Sequence, residues 1–170
     1  MCIRDRGKNE WRYEYEWPLA RTQWMKFYLR GNGGLAKEAP GQDETADIFV
    51  NKVLPLPHEA VPKIKYQTPP FEEDSEVTGP IALYLYAALD QPDATWCVNI
   101  NDVAPDGLPR LISKGWLRAS HRAMDEERSK PYQPFHLHTE SIPIEPGKIY
   151  QYAIDIREIS NVFKAGHRIQ

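Results

Sequence analysis

The stretch Val77–Ile100 reads VTGPIALYLYAALDQPDATWCVNI, and it decides the fold class. Its first half alternates between two apolar faces, Ile81, Leu83 and Leu85 on one and Ala82, Tyr84 and Tyr86 on the other. A strand that is apolar on both faces is expected to be covered on both sides. Gly79-Pro80 is expected to open this strand, and the turn at residues 90–93 to end it.

A second strand and its hairpin partner follow directly. Trp96, Val98 and Ile100 alternate with polar neighbours, which predicts a half-buried strand. Pro105-Asp106-Gly107 then supplies the residues of a tight turn, because proline presets φ, aspartate bonds its own backbone and glycine accepts positive φ. We therefore predict a hairpin that returns from Val103 into residues 110–113 and continues to residue 122.

Near its other end the chain shows its cleanest alternation, over residues 148–157, where Tyr150, Tyr152, Ile154 and Ile156 share one face. Residues 161–163 and 166–169 lead into another strand, and the chain stops there, so we expect a fragment that lacks its last strands. Alternating strands without a βαβ rhythm predict an all-β fold, an antiparallel sandwich or jelly roll.

Aromatic side chains dominate the first strand that we predict. Trp11, Tyr13, Tyr15 and Trp17 alternate with charged residues, and Pro18 ends the run. Such a strand suits docking against a partner or the edge of a core, and an aromatic ligand platform is the alternative. Residues 22–29 resemble another short strand, with residues 30–34 as its turn.

Composition narrows the classes of function. The chain has 170 residues, 41% of them hydrophobic, and a net charge of −3 with both signs interspersed. These features argue for one packed domain and against nucleic-acid binding, and no apolar run has the length of a membrane span. Residues 1–10 show no periodicity, and we expect a non-native or disordered leader before a domain at 11–170. Of the two cysteines, Cys2 lies in that leader and Cys97 in a strand, so a disulfide is not expected.

Two stretches are expected to be irregular. Residues 51–70 hold five prolines, which exclude regular helix and central strand, and His58 in this stretch is expected to be solvated. Residues 123–143 include a possible helical turn at 125–128 and the pair His136-Leu137-His138. A His-x-His pair on a strand places two imidazoles on one side, where both could bind zinc, with Glu140 and His121 as candidate third ligands. A hydrogen-bonded loop is the favoured alternative, and we assign no metal and no cofactor.

No catalytic set is evident. The chain has no Gly-x-Ser-x-Gly elbow and no glycine-rich phosphate loop, so its serines lack the turn that exposes a nucleophile. Asp102 and Asp106 could pair across their hairpin as acid and base, but turn aspartates usually cap the backbone. His121 and His167 each neighbour an arginine, which suggests structural histidines. We therefore assign no catalytic, cofactor-binding or metal-binding residue.

Several motifs that are weak individually nevertheless occur in an order that is informative as a set. They are the lead-in Trp11 to Leu19, then Glu76–Pro80, Asn101–Gly107, Gly115–Arg122, Glu145–Gly147, Ser160–Phe163 and Gly166–Ile169. As an ordered set they resemble the C-terminal domain of the X-Pro dipeptidyl-peptidase and cocaine-esterase family, the CocE/NonD serine hydrolases.

The resemblance implies a galactose-binding-like jelly roll packed on an α/β-hydrolase domain of the same parent chain. That domain would hold a Ser-Asp-His triad for hydrolysis of an ester or an X-Pro peptide. No triad member carries over to a residue here, so the chain alone should hydrolyse nothing. In the family the region matching residues 55–70 can approach the substrate pocket, but it is compact here, which puts such a role in doubt.

The favoured function is that of an accessory β-sandwich domain, which docks on the catalytic domain through the Trp11–Trp17 strand and neighbouring loops and shapes its pocket. The alternative is a stand-alone carbohydrate-binding jelly roll that uses exposed tryptophans. The candidates are Trp11, Trp17, Trp24, Trp96 and Trp116, of which Trp96 and Trp116 are expected to be buried.

Overall fold

The computed structural model describes residues 1–51 and 62–170, and its regular structure is almost entirely β-strand. Within these residues the only helical elements are two 3-10 turns, Gly31–Gly33 and Ala119–His121. No helix in the described part of the chain is long and apolar enough to cross a membrane. The strands are β1 Cys2–Asp5, β2 Glu10–Tyr13, β3 Tyr28–Arg30, β4 Gly34–Ala36, β5 Ser75–Ala87, β6 Thr95–Val103, β7 Pro109–Arg118, β8 Tyr150–Phe163 and β9 Arg168–Ile169.

Five strands form the main antiparallel sheet, in the order β5-β8-β7-β6-β9. Two hairpins, β1-β2 and β3-β4, complete the described strands. The prediction of an all-β, jelly-roll-type sandwich is confirmed. The predictions for Pro55, Pro57 and His58 lie outside the described residues.

The core lies on one face of this sheet, where β8 contributes most. Tyr152 and Ile154 are fully buried and pack with Leu117 of β7 and with Ile144 from the long loop after β7. Side chains of β5 and β6 close the cluster, among them Leu83, Leu85, Trp96 and Val98. The strand predicted over residues 148–157 is thus confirmed, and β8 continues to Phe163 with its last five residues all buried.

Strand β5 differs from the prediction that it is covered on both sides. It stands at the edge of the main sheet and pairs only with β8, and its second face is open, with Tyr86 68% exposed. Gly79-Pro80 also does not open the strand, because both residues lie inside it. There the register with β8 shifts, and Gly79 has a φ of +140°, a value that favours glycine.

The first ten residues also differ from the expected leader. Residues 2–5 form β1, which pairs with β2 in register from Cys2 opposite Tyr13 to Asp5 opposite Glu10. Ile3 and Asp5 are buried, and the backbone N–H of Arg6 donates to the carbonyl of Ser160 in β8. These residues are part of the fold. Because β1 has only four residues, its alternation of exposed and buried side chains is too short to be recognised in the sequence.

The hairpin predicted around Pro105-Asp106-Gly107 is confirmed. It joins β6 to β7, Gly107 adopts a φ of +81°, and the Asp106 carboxylate accepts a hydrogen bond from the N–H of Leu108. By contrast, the strand predicted over residues 22–29 is confirmed only at its end, as β3. Cys2 and Cys97 are both free and exposed.

Candidate interaction surface and side-chain clusters

The hairpin β1-β2 has an inner face that attaches it to the main sheet. Ile3 is buried on this face, and the guanidinium of Arg12, opposite Ile3 in the pairing, binds Glu76 and Thr78 of β5. The Ser160 hydroxyl of β8 donates to the buried carboxylate of Asp5 at 3.4 Å. The hairpin is therefore held in place from one side only.

Its outer face carries Trp11 and Tyr13, with the guanidinium of Arg4 5.8 Å from the centre of the Trp11 ring, and a third exposed aromatic residue follows β2. Trp11 is 66% exposed, Tyr13 is 86% exposed and Tyr15, just beyond β2, is fully exposed. We call Trp11, Tyr13 and Tyr15 the aromatic row. The row ends where the chain turns inward, because Trp17 is half-buried and Leu19 is buried. A cluster of large exposed apolar side chains on a firm support is the usual mark of an interaction site.

Most charges beside the row are paired with one another, whereas Arg4, opposite Trp11, has Asn9 as its hydrogen-bond partner in the described part of the chain. Arg12 lies 3.1 Å from Glu14 and also binds Glu76, and Arg21 makes a two-pronged contact with Glu14. The hydrogen bond from Arg12 holds the pKa of Glu76 below its usual value, and the bond from Arg21 does the same to the pKa of Glu14. Because these carboxylates already have cations, a surface that binds the row needs to supply apolar area rather than a compensating charge.

A second cluster surrounds Asp102, which is a buried residue of β6 rather than a turn aspartate. One carboxylate oxygen lies 2.7 Å from Nδ1 of His167, and the other accepts a bond of 3.1 Å from Arg110. The cluster opens on a cavity of about 300 Å³. Among the described residues that line it there is no serine, threonine or cysteine, so this carboxylate–histidine pair has no nucleophile to activate. Its evident effect is to fasten the segment before β9 to the β6-β7 hairpin.

A third cluster is centred on Asp93, in the turn between β5 and β6. Its carboxylate accepts hydrogen bonds from the hydroxyl and N–H of Ser120 and from Nε of Arg118. Partial burial pushes the pKa of Asp93 up, but the bonds from Ser120 and Arg118 outweigh it, and the pKa lies below its usual value. Asp93 thus connects the start of β6 to the end of β7. Sequence reasoning missed this role, since only the local turn signal marked Asp93.

The serines considered as nucleophiles have other partners. The hydroxyl of Ser113 donates to the carbonyl of Arg157, and that of Ser129 donates to the carbonyl of Phe135. The hydroxyl of Ser120 donates to the carboxylate of Asp93, and that of Ser160 contacts Thr78 and Asp5. None of these four hydroxyls has a histidine among its hydrogen-bond partners in the described part of the chain.

The histidines come together differently from the His-x-His prediction. His136 directs its two ring nitrogens at the carbonyls of Ala153 and Ala123, at 2.7 and 3.3 Å. The ring of His138 lies 5.7 Å from that of His136 and 5.5 Å from that of His121, and its Nδ1 atom meets the Nδ1 atom of His121 at 3.5 Å. No group of three or more histidine, cysteine, aspartate or glutamate side chains among residues 1–51 and 62–170 is arranged to hold a metal, and Glu140 is not brought into one.

The burial of the tryptophan side chains also differs from the prediction. Trp96 is half-buried and its ring lies 5.4 Å from that of Tyr152. Trp116, predicted to be buried, is 49% exposed because its side chain leaves the sheet on the face opposite the core, beneath the guanidinium of Arg157. Trp24 stacks on Tyr132, with the ring centres 3.8 Å apart.

Taken together, the fold and these clusters define an all-β domain with an exposed aromatic surface and, among the described residues, no assembled catalytic group. Comparison with known proteins agrees. The profile of the X-Pro dipeptidyl-peptidase C-terminal non-catalytic domain matches residues 2–170, and the chain belongs to this family. The resemblance seen in the motifs is thereby confirmed.

Three similar proteins show how the chain relates to longer ones. It is 28% identical to a cocaine esterase from Rhodococcus sp. over 193 residues, covering 96% of the chain and 31% of that protein. It is also 28% identical to a putative serine esterase from Mycobacterium tuberculosis over 190 residues, covering 96% and 30%. A solved structure of a CocE/NonD family hydrolase from Staphylococcus aureus superposes with a TM-score of 0.75 at 23% identity, covering 99% and 31%. The chain therefore spans about 30% of the length of the curated relatives that it matches.

Proposed function

We propose that this domain docks, through the aromatic row, on the catalytic α/β-hydrolase domain of a CocE/NonD-type serine hydrolase and shapes the wall of its pocket. The observation that carries the proposal is the aromatic row itself: three large side chains, 66% exposed or more, on a hairpin whose other face is fixed to the sheet. Burying such side chains against a partner gains roughly 25 cal/mol per Å² of apolar area.

The identity of the occupant follows from length and chemistry. The esterase relatives are more than three times as long as the region they share with this chain, so a large part of each lies outside it. Arg12, Glu14 and Arg21 beside the row neutralise one another in part, which suits a largely apolar contact within one protein. The parent reaction would be acyl transfer from an ester or X-Pro peptide to water, with the nucleophile, base and oxyanion donors all outside this domain.

The test compares two variants of the longer protein. The triple variant Trp11→Ser, Tyr13→Ser, Tyr15→Ser removes the row, and Ile149→Ser is the matched control because Ile149 is equally exposed, at 69%, but lies outside the row. We expect calorimetry to show a single unfolding transition for the control and two for the triple variant. We also expect the triple variant to lose turnover of an activated ester and the control to keep it.

Two results would overturn the proposal. One is a triple variant that unfolds and turns over like the control. The other is hydrolysis at enzyme-like rates by the 170-residue chain alone. Titration of the chain with oligosaccharides in the calorimeter tests the alternative, a carbohydrate-binding jelly roll, and heat that disappears in the triple variant would favour that alternative.

A further inference from the structure

His121 and His138 form a pair with the geometry of two ligands on one metal ion. Their Nδ1 atoms lie 3.5 Å apart, and their ring centres 5.5 Å apart. Two imidazole nitrogens bound to one tetrahedral zinc ion at about 2.05 Å lie roughly 3.4 Å from each other. The observed spacing therefore differs from the liganded spacing by only about 0.1 Å.

The two facing nitrogens also lack better partners. Each Nδ1 has only the other as a hydrogen-bond partner in the described part of the chain. Only one proton fits between them, so the pair makes at most a single bond, at the outer limit of hydrogen-bond length. A cation between the rings would instead use both lone pairs.

The surroundings leave the space between the two rings accessible and fix the backbone that carries each histidine. His138 is exposed, and its φ of +52° is a left-handed conformation that turns the chain just after His136. His121 ends the 3-10 turn after β7, which the Asp93–Ser120 bonds secure. The neighbouring cation, Arg122, directs its guanidinium to the carbonyls of Ala119, Ile142 and Pro143.

We propose that His121 and His138 bind a first-row divalent cation of the zinc, copper and nickel type through their Nδ1 atoms. Imidazole suits these ions. The described residues contribute no third ligand, so water or a group outside the chain completes the coordination, and the site is open rather than a closed structural zinc site. His136 takes no part, because its ring nitrogens face two carbonyls. This proposal is independent of docking by the aromatic row.

Calorimetric titration of the chelator-treated 170-residue chain with zinc chloride tests the site. We expect one ion per chain, and an affinity at least ten-fold lower for His121→Asn and for His138→Asn, since asparagine tolerates the left-handed backbone at residue 138. Glu140→Gln is the control and should bind zinc like the unsubstituted chain. Absence of zinc binding, or binding that both histidine variants retain, would refute the site.

Ring nitrogen spectra of the unsubstituted chain give an answer that needs no variant. Addition of zinc should move the Nδ1 signals of His121 and His138 and leave those of His136 in place. A shift confined to His136, or to none of the three rings, would overturn the assignment even if a histidine variant failed to fold.

Discussion

Two strands in this molecule carry the same alternation of large apolar side chains, but these side chains are buried in one strand and exposed in the other. Tyr152 and Ile154 of β8 lie in the core, fully buried. Trp11 and Tyr13 of β2 point away from it and are largely exposed. The comparison shows that a period of two defines a face but does not say what covers that face. In β8 the cover comes from the same chain, whereas the cover that we propose for β2 comes from another domain.

The strongest test of this contrast is Ile154→Ala. Ile154 has no exposed surface and packs in the cluster around Leu117 and Tyr152, so truncation leaves a cavity. We expect the free energy of unfolding to fall by about 4 kcal/mol in denaturant titration. A loss below about 1 kcal/mol would mean that this face of β8 is not the core.

The second test examines the inner face of the hairpin that bears the aromatic row. Ile3 of β1 is buried on that face, and we expect Ile3→Ala to lower the free energy of unfolding by about 3 kcal/mol. Lys8→Ala, in the connection between β1 and β2, serves as the control and should leave stability unchanged. If Ile3→Ala were as silent as the control, residues 1–10 would lie outside the fold after all.

The third test concerns the polar contacts that hold the core strands together at one end. Asp93→Asn should lower the free energy of unfolding by about 1 to 2 kcal/mol at neutral pH, because the charge that Arg118 and Ser120 stabilise is lost. Since the pKa of Asp93 is lowered in the folded chain, its contribution is present above the pKa of the unfolded state and is lost as the pH falls through the folded one. Denaturation measured from pH 7 to pH 3 should show the difference between the two proteins shrinking below about pH 4. A difference that does not vary with pH would contradict the assignment.

The smallest effect is expected for Tyr13→Ala in the aromatic row. Tyr13 is 86% exposed and contributes little to this chain's own stability, so its truncation should change the free energy of unfolding by less than about 0.5 kcal/mol. Light scattering should show less self-association, because exposed apolar area is removed. A loss comparable to that of Ile154→Ala would erase the contrast between the two strands.

Much of the fold was predictable because strand periodicity and turn chemistry are local. The alternation before Arg157, the turn at Pro105-Asp106-Gly107 and the absence of long helices from the described residues are confirmed. Strand order was not predictable. The residues at Val77–Ile100 predict a strand covered on both sides, yet β5 is an edge strand and β8 lies between it and β7, because pairing joins residues that are far apart in sequence.

The candidate sites divide in the same way. The alternating run from Trp11 to Trp17 predicted a shared face, which is confirmed for Trp11 and Tyr13 of β2, whereas Tyr15 and Trp17 lie beyond the strand. The contact between buried Asp102 and half-buried His167 joins positions 65 residues apart, and no local pattern signals such a contact. For the histidines, the sequence pattern placed His138 with His136 and left His121 as one of two candidate third ligands, whereas the Nδ1 atom of His138 meets that of His121. His136 is engaged by the carbonyl of Ala153, which only the packing of the loop on β8 brings near.

The sequence by itself determined the all-β class, the alternating faces and the family, since these depend on residue type, period and the order of short motifs along the chain. The tertiary structure alone decided which alternating face is buried, which strand stands at the centre and which charged side chains meet. The physical reason is that burial and ion pairing depend on the distance between groups in space. In this sheet β5 and β8 lie side by side although they are far apart in sequence, and no local pattern shows which strands pair.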